Sequence, residues 1–404
     1  DSRFIDYGKL YKARYKLLRK AYERSNISKN PEFQTFQEEN AWWLDDYALF
    51  MAVKGFFQDE CWDKWPEDIK KRYGYALDYY REQLYFEIEF QKYMQFEFSI
   101  QWKKLKAYAN ENGIRIIGDI PIYVAYDSAD TWAHPELFQL DEENVPLAVA
   151  GCPPDGFAAD GQLWGNPLYR WDYHRQTGYA WWMQRLSYAF YLYDVVRIDH
   201  FRGFDEYFSI PYGDTTARNG HWEKGPGIEL FHRMKEVLGE RDVIAEDLGY
   251  VTDSVRQMVF ESGFPGMKVF EFAFDSRDTG CAGDYLPHNY PVNSVVYTGT
   301  HDNATLIGWY QDIPKEGREM LRDYIHDYIT SDRSLHWSVI CRVMGSPARI
   351  CMIPMQDYLG LDNTCRINTP STLGTNWKWR LLDGEFTSDL QNKIKKLVRI
   401  YQRN

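Results

Sequence analysis

Cysteine is scarce in this sequence: 6 residues in 404, at positions 61, 152, 281, 341, 351 and 365, with no CxxC pair among them. A chain of this size needs no disulfide staples, and the spacing suits no zinc site. Free thiols in a reducing cytoplasm are therefore expected, with Cys152 a small apolar filler rather than a nucleophile. Positive charge is also in short supply. Basic residues number 47 against 59 acidic ones, a formal net charge of −12, and such a chain repels phosphate backbones and argues against a nucleic-acid partner. No apolar run approaches the roughly 18–20 residues of a membrane span. Initiator Met and a basic-then-apolar leader are both missing from the opening DSRFIDYGKL. The expectation is that a preceding segment has been removed or that the chain begins inside a longer one. Between residues 1 and 112 even the chain breakers are few, namely Gly8, Gly55, Gly74, Pro31 and Pro66.

What is abundant is aromatic. Trp, Tyr and Phe make up 17 % of the chain, more rings than a core alone requires, and many of them carry a polar tip. In residues 1–112 apolar positions recur at three and four, which predicts packed helices without visible chemistry. After Gly113 the texture changes to short β-branched runs separated by helical patterns. The runs are IRIIGDIPIYV (114–124), DVVRID (194–199), DVIAED (242–247), MKVFEFAF (267–274), NSVVYTGTH (293–301) and ARICMIP (348–354). Helical stretches such as 179–193, 227–239 and 252–263 lie between them, the last two closed by Gly239 and Gly263 as C-caps. Alternating strand and helix is the pattern of a parallel α/β sheet. A closed (β/α) barrel takes eight strands. With six runs in hand, the expected architecture is a (β/α)8 TIM barrel with a helical insertion over 1–112. The rest of the catalytic barrel runs over 113–404, and its first two strands are missing from this chain, placed before residue 1.

Three acids end three of the predicted strands: Asp199, Glu246 and Asp302. In a parallel barrel the C-terminal strand ends share one mouth, so these residues converge. Arg197 lies two positions before Asp199, on the same face of the strand, while Ile198 points away. A guanidinium beside Asp199 should depress its pKa and keep it ionised, as a nucleophile requires. Glu246 has no cation in its own strand and sits near an anion, so it should stay protonated and serve as an acid. One ionised and one protonated carboxyl is the pairing of a retaining glycosidase. Taken singly, each acid reads equally as a helix cap or a loop charge. Asp247 is expected to cap the following turn, and Asp119 and Asp194 to be structural. A metal reading would use Asp199, His200, Glu246, His301 and Asp302. No HxH or HExxH spacing supports it, and His200 and His301 are better hydrogen-bond donors to a polar substrate. The remaining histidines, at 134, 174, 221, 232, 288, 326 and 336, read as ordinary surface or core residues.

The segment CPPDGFAADGQLWGNPLYRW (152–171) is punctuated by Gly and Pro and reads as a lid loop. Phe157, Trp164 and Tyr169 could stack on sugar C–H faces there, with Asp155, Gln162 and Asn166 bonding hydroxyls. The plainer alternative is a compact loop packing its own rings.

Several segments, in order and at matching spacing, resemble those of the 4-α-glucanotransferases (amylomaltases or disproportionating enzymes) of glycoside hydrolase family 77, in the α-amylase clan. They are GDIPIYV (118–124), PPDGFAADGQLWGNPLY (153–169), VRIDHFRG (196–203), AEDLG (245–249) and GTHDN (299–303). The resemblance runs from about residue 113 to RINTPSTLGTNWKWR (366–380). Three of these motifs are shared in outline by the whole clan, and the GQLWGNPLY stretch is more particular to the family. The resemblance implies Asp199 as nucleophile, Glu246 as acid and base, and Asp302 as the residue that holds the donor sugar's hydroxyls and favours its distorted shape. It further implies Arg197 and His301 around the cleavage subsite, and Asp155 and Trp164 in a loop closing over the glucan. Maltooligosaccharides or starch- and glycogen-derived glucans would be the partners, with no cofactor and no metal. Family members carry further N-terminal residues that hold the first two strands. A second chain or an absent N-terminal segment would then complete the barrel. Pro370-Ser371 and Thr375-Asn376-Trp377 depart from the family's usual Pro-Gly and Gly-Asn-Trp. A hydrolase of the same clan would use the same three acids, and a non-catalytic glucan-binding fragment would use none.

Overall fold

The computed structural model describes residues 3–154, 159–249, 251–274 and 282–403. Its first part is helical, as the three-four spacing implies. Long helices run over Tyr7–Ser25, Pro31–Phe56, Gly74–Gln83 and Tyr85–Glu111. Asp6 caps the first by accepting from the Lys9 amide. Asn30 caps the second, whose first residue is Pro31, the position where a missing N–H costs nothing. Phe33, Phe36, Phe90, Tyr93 and Phe96 pack together where these helices cross.

Ten strands follow. In chain order they are β1 (Ile117–Ile120), β2 (Ala148–Cys152), β3 (Gln162–Pro167), β4 (Val195–Ile198), β5 (Glu206–Pro211), β6 (His221–Lys224), β7 (Val243–Ala245), β8 (Gly266–Val269), β9 (Ser294–Tyr297) and β10 (Ile350–Met352). Six of them form a parallel sheet in the order β1-β4-β7-β8-β9-β10, one in each of the six β-branched runs. Order in the sheet equals order along the chain, so every crossover reaches the next strand, as in a barrel wall. Among the described residues β1 and β10 are the edges of this arc. Each strand is shorter than its run. In 267–274 the chain leaves the sheet after Val269 and coils as a 3-10 turn over Phe270–Ala273, which buries Phe270 and Ala273. Helices Ala180–Leu192, Glu229–Leu238 and Asp253–Ser262 cover the sheet, and Gly239 and Gly263 end the last two with positive φ, as expected.

The second sheet was not anticipated. It is antiparallel, in the order β3-β2-β5-β6, and it corrects the reading of 152–171 as loop throughout: β3 lies inside that segment. Gly151 makes the pairing possible, because a Cβ there would stand 2.1 Å from the Gln162 carbonyl oxygen. Val149, Phe208, Ile210 and Ala217 form a small core beneath this sheet.

The aromatic surplus is first of all a core. Trp62, Trp132, Trp182, Tyr169, Tyr179, Phe204 and Phe231 are among the largest fully buried side chains. Trp182 packs edge-on to Phe204 at 5.2 Å and against Tyr169 at 5.5 Å. No described helix is long and apolar enough to cross a membrane. Trp182→Ala, at a residue with no exposed surface, should cost about 3–5 kcal/mol of stability, read as a lower urea midpoint with an unchanged slope.

Candidate active site

The parallel sheet delivers the acids. Asp199 follows the last residue of β4 and Glu246 the last residue of β7. The hydrogen-bond ladder continues through both, since the Asp199 amide donates to the Ile120 carbonyl and the Glu246 amide to that of Ile198. Both carboxyl groups therefore inherit the rigidity of the sheet. Asp302 is placed differently, on the turn that follows β9 (Ser294–Tyr297).

Arg197 organises the floor. It is buried on β4, in register with Asp119 on β1. Its Nη1 donates to both oxygens of Asp119 at 2.7 and 2.8 Å, and its Nη2 lies 2.9 Å from Oδ1 of Asp199. Nε points at the Met267 sulfur at 3.3 Å. Burial alone would lower the pKa of this guanidinium, but Asp119 and Asp199 together carry it above its ordinary value. Asp119, expected to be merely structural, is thus the bidentate partner of the site's central cation.

The expected depression of the Asp199 pKa does not occur. Burial, its largest influence, raises the carboxyl above its ordinary value, and Arg197 only opposes that rise. Glu246 moves further. Burial and then the Asp199 charge push it up to about 7, so the proton of the pair resides there, as expected. The Glu246 side chain is latched from behind by two backbone amides, His200 N to Oε2 at 2.7 Å and Leu248 N to Oε1 at 3.0 Å. The first of these depends on His200 adopting the left-handed conformation, φ 52°. Burial and the neighbouring Arg202 pull the His200 imidazole down to about 3, so at neutral pH its ring is uncharged.

Asp302 is held on both oxygens. Asn368 Nδ2 donates to Oδ1 at 2.5 Å, and His301 Nε2 lies 3.3 Å from Oδ2. Burial favours protonation, but the His301 and Asn368 contacts outweigh it and lower the Asp302 pKa, while His301 rises in turn. Arg366 Nη2 donates to the Asp302 carbonyl at 2.5 Å, and the His301 ring lies 5.2 Å from that of Trp377. Asp119, Arg366, Asn368 and Trp377 were not read as site residues from the sequence. An Asp in β1 facing the Arg of the adjacent strand was the one available signal. Beside Asn368 and Trp377 opens a cleft of about 800 Å³, lined also by residues 4–9 and by Thr372, Leu373 and Lys378.

The expected sugar contacts divide. Trp164, on β3, is partly exposed and meets the His200 ring edge-on at 4.9 Å, while its Nε1 donates to Gln162 Oε1 at 3.0 Å. Tyr169 is not a surface ring. It is 1 % exposed, with its hydroxyl donating to the Ile122 carbonyl at 2.7 Å, because the aromatic core beneath β4 claims it. Asn166 likewise spends its amide on the Val124 carbonyl at 2.8 Å. Asp155 and Phe157 lie outside the described residues. Asp247, expected to cap the following turn, instead accepts the Met267 amide on Oδ1 at 2.7 Å and so ties β7 to β8. Asp194 is structural, as expected, accepting from the Ile116 amide at 2.8 Å. Among the described residues no group of three or more His, Cys, Asp and Glu is arranged to hold a metal ion.

Comparison with known proteins decides the family. The model of glycoside hydrolase family 77, described as 4-alpha-glucanotransferase, matches residues 1–385. The chain belongs to this family. A 4-alpha-glucanotransferase of Clostridium butyricum is 46 % identical over 405 residues, covering 100 % of this chain and 82 % of the relative. One from Thermus thermophilus is 44 % identical over 408 residues, covering 99 % and 81 %. Among solved structures, the Streptococcus agalactiae amylomaltase in complex with acarbose superimposes with TM-score 0.94 at 38 % identity, over 100 % of this chain and 81 % of that one. The protein is accordingly a glucan-transferring enzyme of the family, with the barrel-type α/β fold of its amylomaltase neighbour.

The raised pKa of Glu246 has a thermodynamic signature. The folded state binds this proton more tightly than the unfolded chain, so stability falls as pH rises from the ordinary 4.5 to about 7. Glu246→Gln abolishes that slope. Between about pH 5 and pH 8 the wild type should lose roughly 2.5 kcal/mol more than the variant in denaturant unfolding. The comparison holds even though the new amide faces a backbone N–H and costs a constant amount.

Proposed function

We propose that this enzyme cleaves and re-forms α-1,4-glucosidic bonds by double displacement, with Asp199 as nucleophile and Glu246 as acid and then base. Asp199 attacks C1 of the donor glucan while Glu246 protonates the departing glycosidic oxygen. The shortened glucan leaves, and the 4-OH of an acceptor, deprotonated by Glu246, releases the covalent glucosyl group with overall retention. Asp302 binds the donor sugar's hydroxyls and favours its flattened, positively charged transition state. Arg197 and His301 line the cleavage subsite, Trp164 offers a stacking face, Gln162 orients that face, and His200 presents a neutral ring to the sugar. The cleft beside Asn368 and Trp377 takes the glucan chain beyond the cleaved unit. Residues 1–112 form a helical insert, residues 113–404 carry the catalytic barrel, and the free thiols suit a cytoplasmic setting.

The observation that carries this reading is the asymmetry of the pair. Asp199 shares Arg197 at 2.9 Å, whereas Glu246 accepts from the backbone amides of His200 and Leu248 and rises to about 7. Transfer must still outrun hydrolysis, and an acceptor bound in orientation can reach an effective molarity far above that of water.

Incubation with maltotriose alone should yield glucose together with maltooligosaccharides longer than the substrate, resolved by chromatography. Glucose and maltose with nothing longer would mean hydrolysis instead. Asp199→Asn should lose about 10³-fold or more in turnover while its circular dichroism is unchanged. The wild-type rate should decline as pH rises past about 7, where Glu246 gives up its proton. In a crystal of the glucan complex, the carboxyl groups of Asp199 and Glu246 should stand about 5–5.5 Å apart, the separation of a retaining site. A gap wide enough for a water between them would count against a nucleophilic Asp199.

A further inference from the structure

Asp302 does not sit on a strand end, so something other than the sheet must hold it. The segment 299–305 that carries it is a loop between β9 and the helix Leu306–Asp312. Inside the loop, Asn303 Oδ1 accepts from the Thr300 amide at 2.9 Å and from its hydroxyl at 2.7 Å. These bonds give the loop a shape but do not attach it to the barrel. Asn363 Oδ1 holds the far end by accepting from the Thr305 amide at 3.1 Å, but one side chain reaches both ends. Asp357, in the first turn of the short helix Met355–Leu359, is 1 % exposed. Its Oδ2 accepts from the Thr298 hydroxyl at 2.5 Å, just before the loop, and its Oδ1 accepts from the Leu306 amide at 2.8 Å, just after it. One carboxylate therefore grips both ends of an arc whose middle is His301-Asp302.

We propose that Asp357 is a positioning residue for Asp302, a buried clamp that joins the two ends of the loop and so sets the reach of its carboxylate into the cleft. Burying a carboxylate with two donors is a costly way to hold a loop, and an apolar residue would fill the space without that cost. A carboxylate has two oxygens that point apart, so one side chain can take the Thr298 hydroxyl on one side and the Leu306 amide on the other. On the solvent side the same loop is held by Arg366 and Asn368, through the Asp302 carbonyl and Oδ1. The loop is thus fastened from within and from without, and a small cavity of about 150 Å³ remains between, lined by Thr300, His301, Asp357 and Arg366. Loss of the inner grip lets the arc relax into that space. A displacement of about 1 Å at a reacting centre is enough to cost roughly 100-fold in rate.

The inference rests on the assignment of Asp302 to the substrate, and a double-mutant cycle separates the two. Asp357→Ala should lower kcat for disproportionation by about 10- to 100-fold, with KM changed less than about threefold and the folded far-UV spectrum retained. In an Asp302→Asn background, assayed by fluoride release from α-glucosyl fluoride, the same substitution should add less than about twofold, because its effect runs through Asp302. Thr298→Val cuts one arm only and should cost about three- to tenfold; it decides the matter if Asp357→Ala does not fold. Wild-type kcat in the folded variants, or an undiminished loss in the Asp302→Asn background, would overturn the clamp. Full turnover by Asp302→Asn alone would instead overturn the role given to Asp302.

Discussion

The site is organised by one buried cation. Arg197 spans two strands of the parallel sheet, gripping Asp119 on β1 with one nitrogen and Asp199 beyond β4 with another, while its Nε meets Met267 on β8. Taking such a charge out of water costs several kcal/mol, and only well-made pairs offset it. Here the offset comes from two carboxylates, one of them bidentate, so neither can move without stranding the guanidinium. This leaves Arg197 shared by Asp119 and Asp199 with Glu246 beside them, and the charge balance decides which carboxyl keeps a proton. Glu246 is buried beside Asp199 and has the larger rise. The electrostatic division of labour between the two carboxyls thus follows from where a single arginine points. Asp302, lowered by His301 and Asn368, leaves a net negative surface where positive charge would develop on a sugar ring, which is the arrangement that stabilises such a transition state.

Rigidity reaches the acids by two routes. Asp199 and Glu246 ride on ladder hydrogen bonds that outlast the strands, and Glu246 is latched to the amide of His200 because that residue turns left-handed at the strand end. A β-strand cannot present an amide sideways to its neighbour's side chain, so the turn is what makes the latch. Asp302 has no such ladder and depends on side chains from distant segments, Asp357 behind and Arg366 with Asn368 in front.

How much of this could be read in advance follows the range of the forces involved. The six parallel strands were legible because a strand covered on both faces must be a short, nearly unbroken β-branched run; 195–198 is buried at every position, though the edge strand β10 is only half-buried. The meeting of Asp199 and Glu246 was legible because parallel topology brings strand carboxyl ends to one edge, whereas Asp302 lies on the loop beyond β9 and not on a strand end. The antiparallel sheet was not, since β2 pairs with β5 across more than fifty residues of chain and β6 is four polar and aromatic residues with no clean alternation. Asp119 was underrated for a related reason: its importance lies in cross-strand register with Arg197, a relation that composition does not encode. Tyr169 and Asn166 were overrated because a Gly- and Pro-rich stretch looks exposed, yet their polar groups are spent on the Ile122 and Val124 carbonyls. The Asp199 pKa went astray in sign because a neighbouring cation can be seen in sequence and depth of burial cannot.

The misread segment bears on the chemistry. A flexible loop carrying Trp164 would have to lose its freedom whenever a glucan arrived, and the ordering cost would fall on the acceptor that must compete with water. Trp164 is instead on β3, paired with β2, its indole N–H tied to Gln162 and its ring edge-on to His200. The ring is ordered before any sugar binds, and a stacking face built on a strand is held more closely than one on a loop. For a neutral substrate and a chain of net charge −12, orientation by stacking and hydrogen bonds is the means left to make a second sugar a better nucleophile than solvent. The extra sheet hidden in the lid segment is therefore more than added scaffold. It sets an exposed ring in place against His200, whose amide latches Glu246, and on the proposed mechanism that is where an oriented acceptor would gain over water.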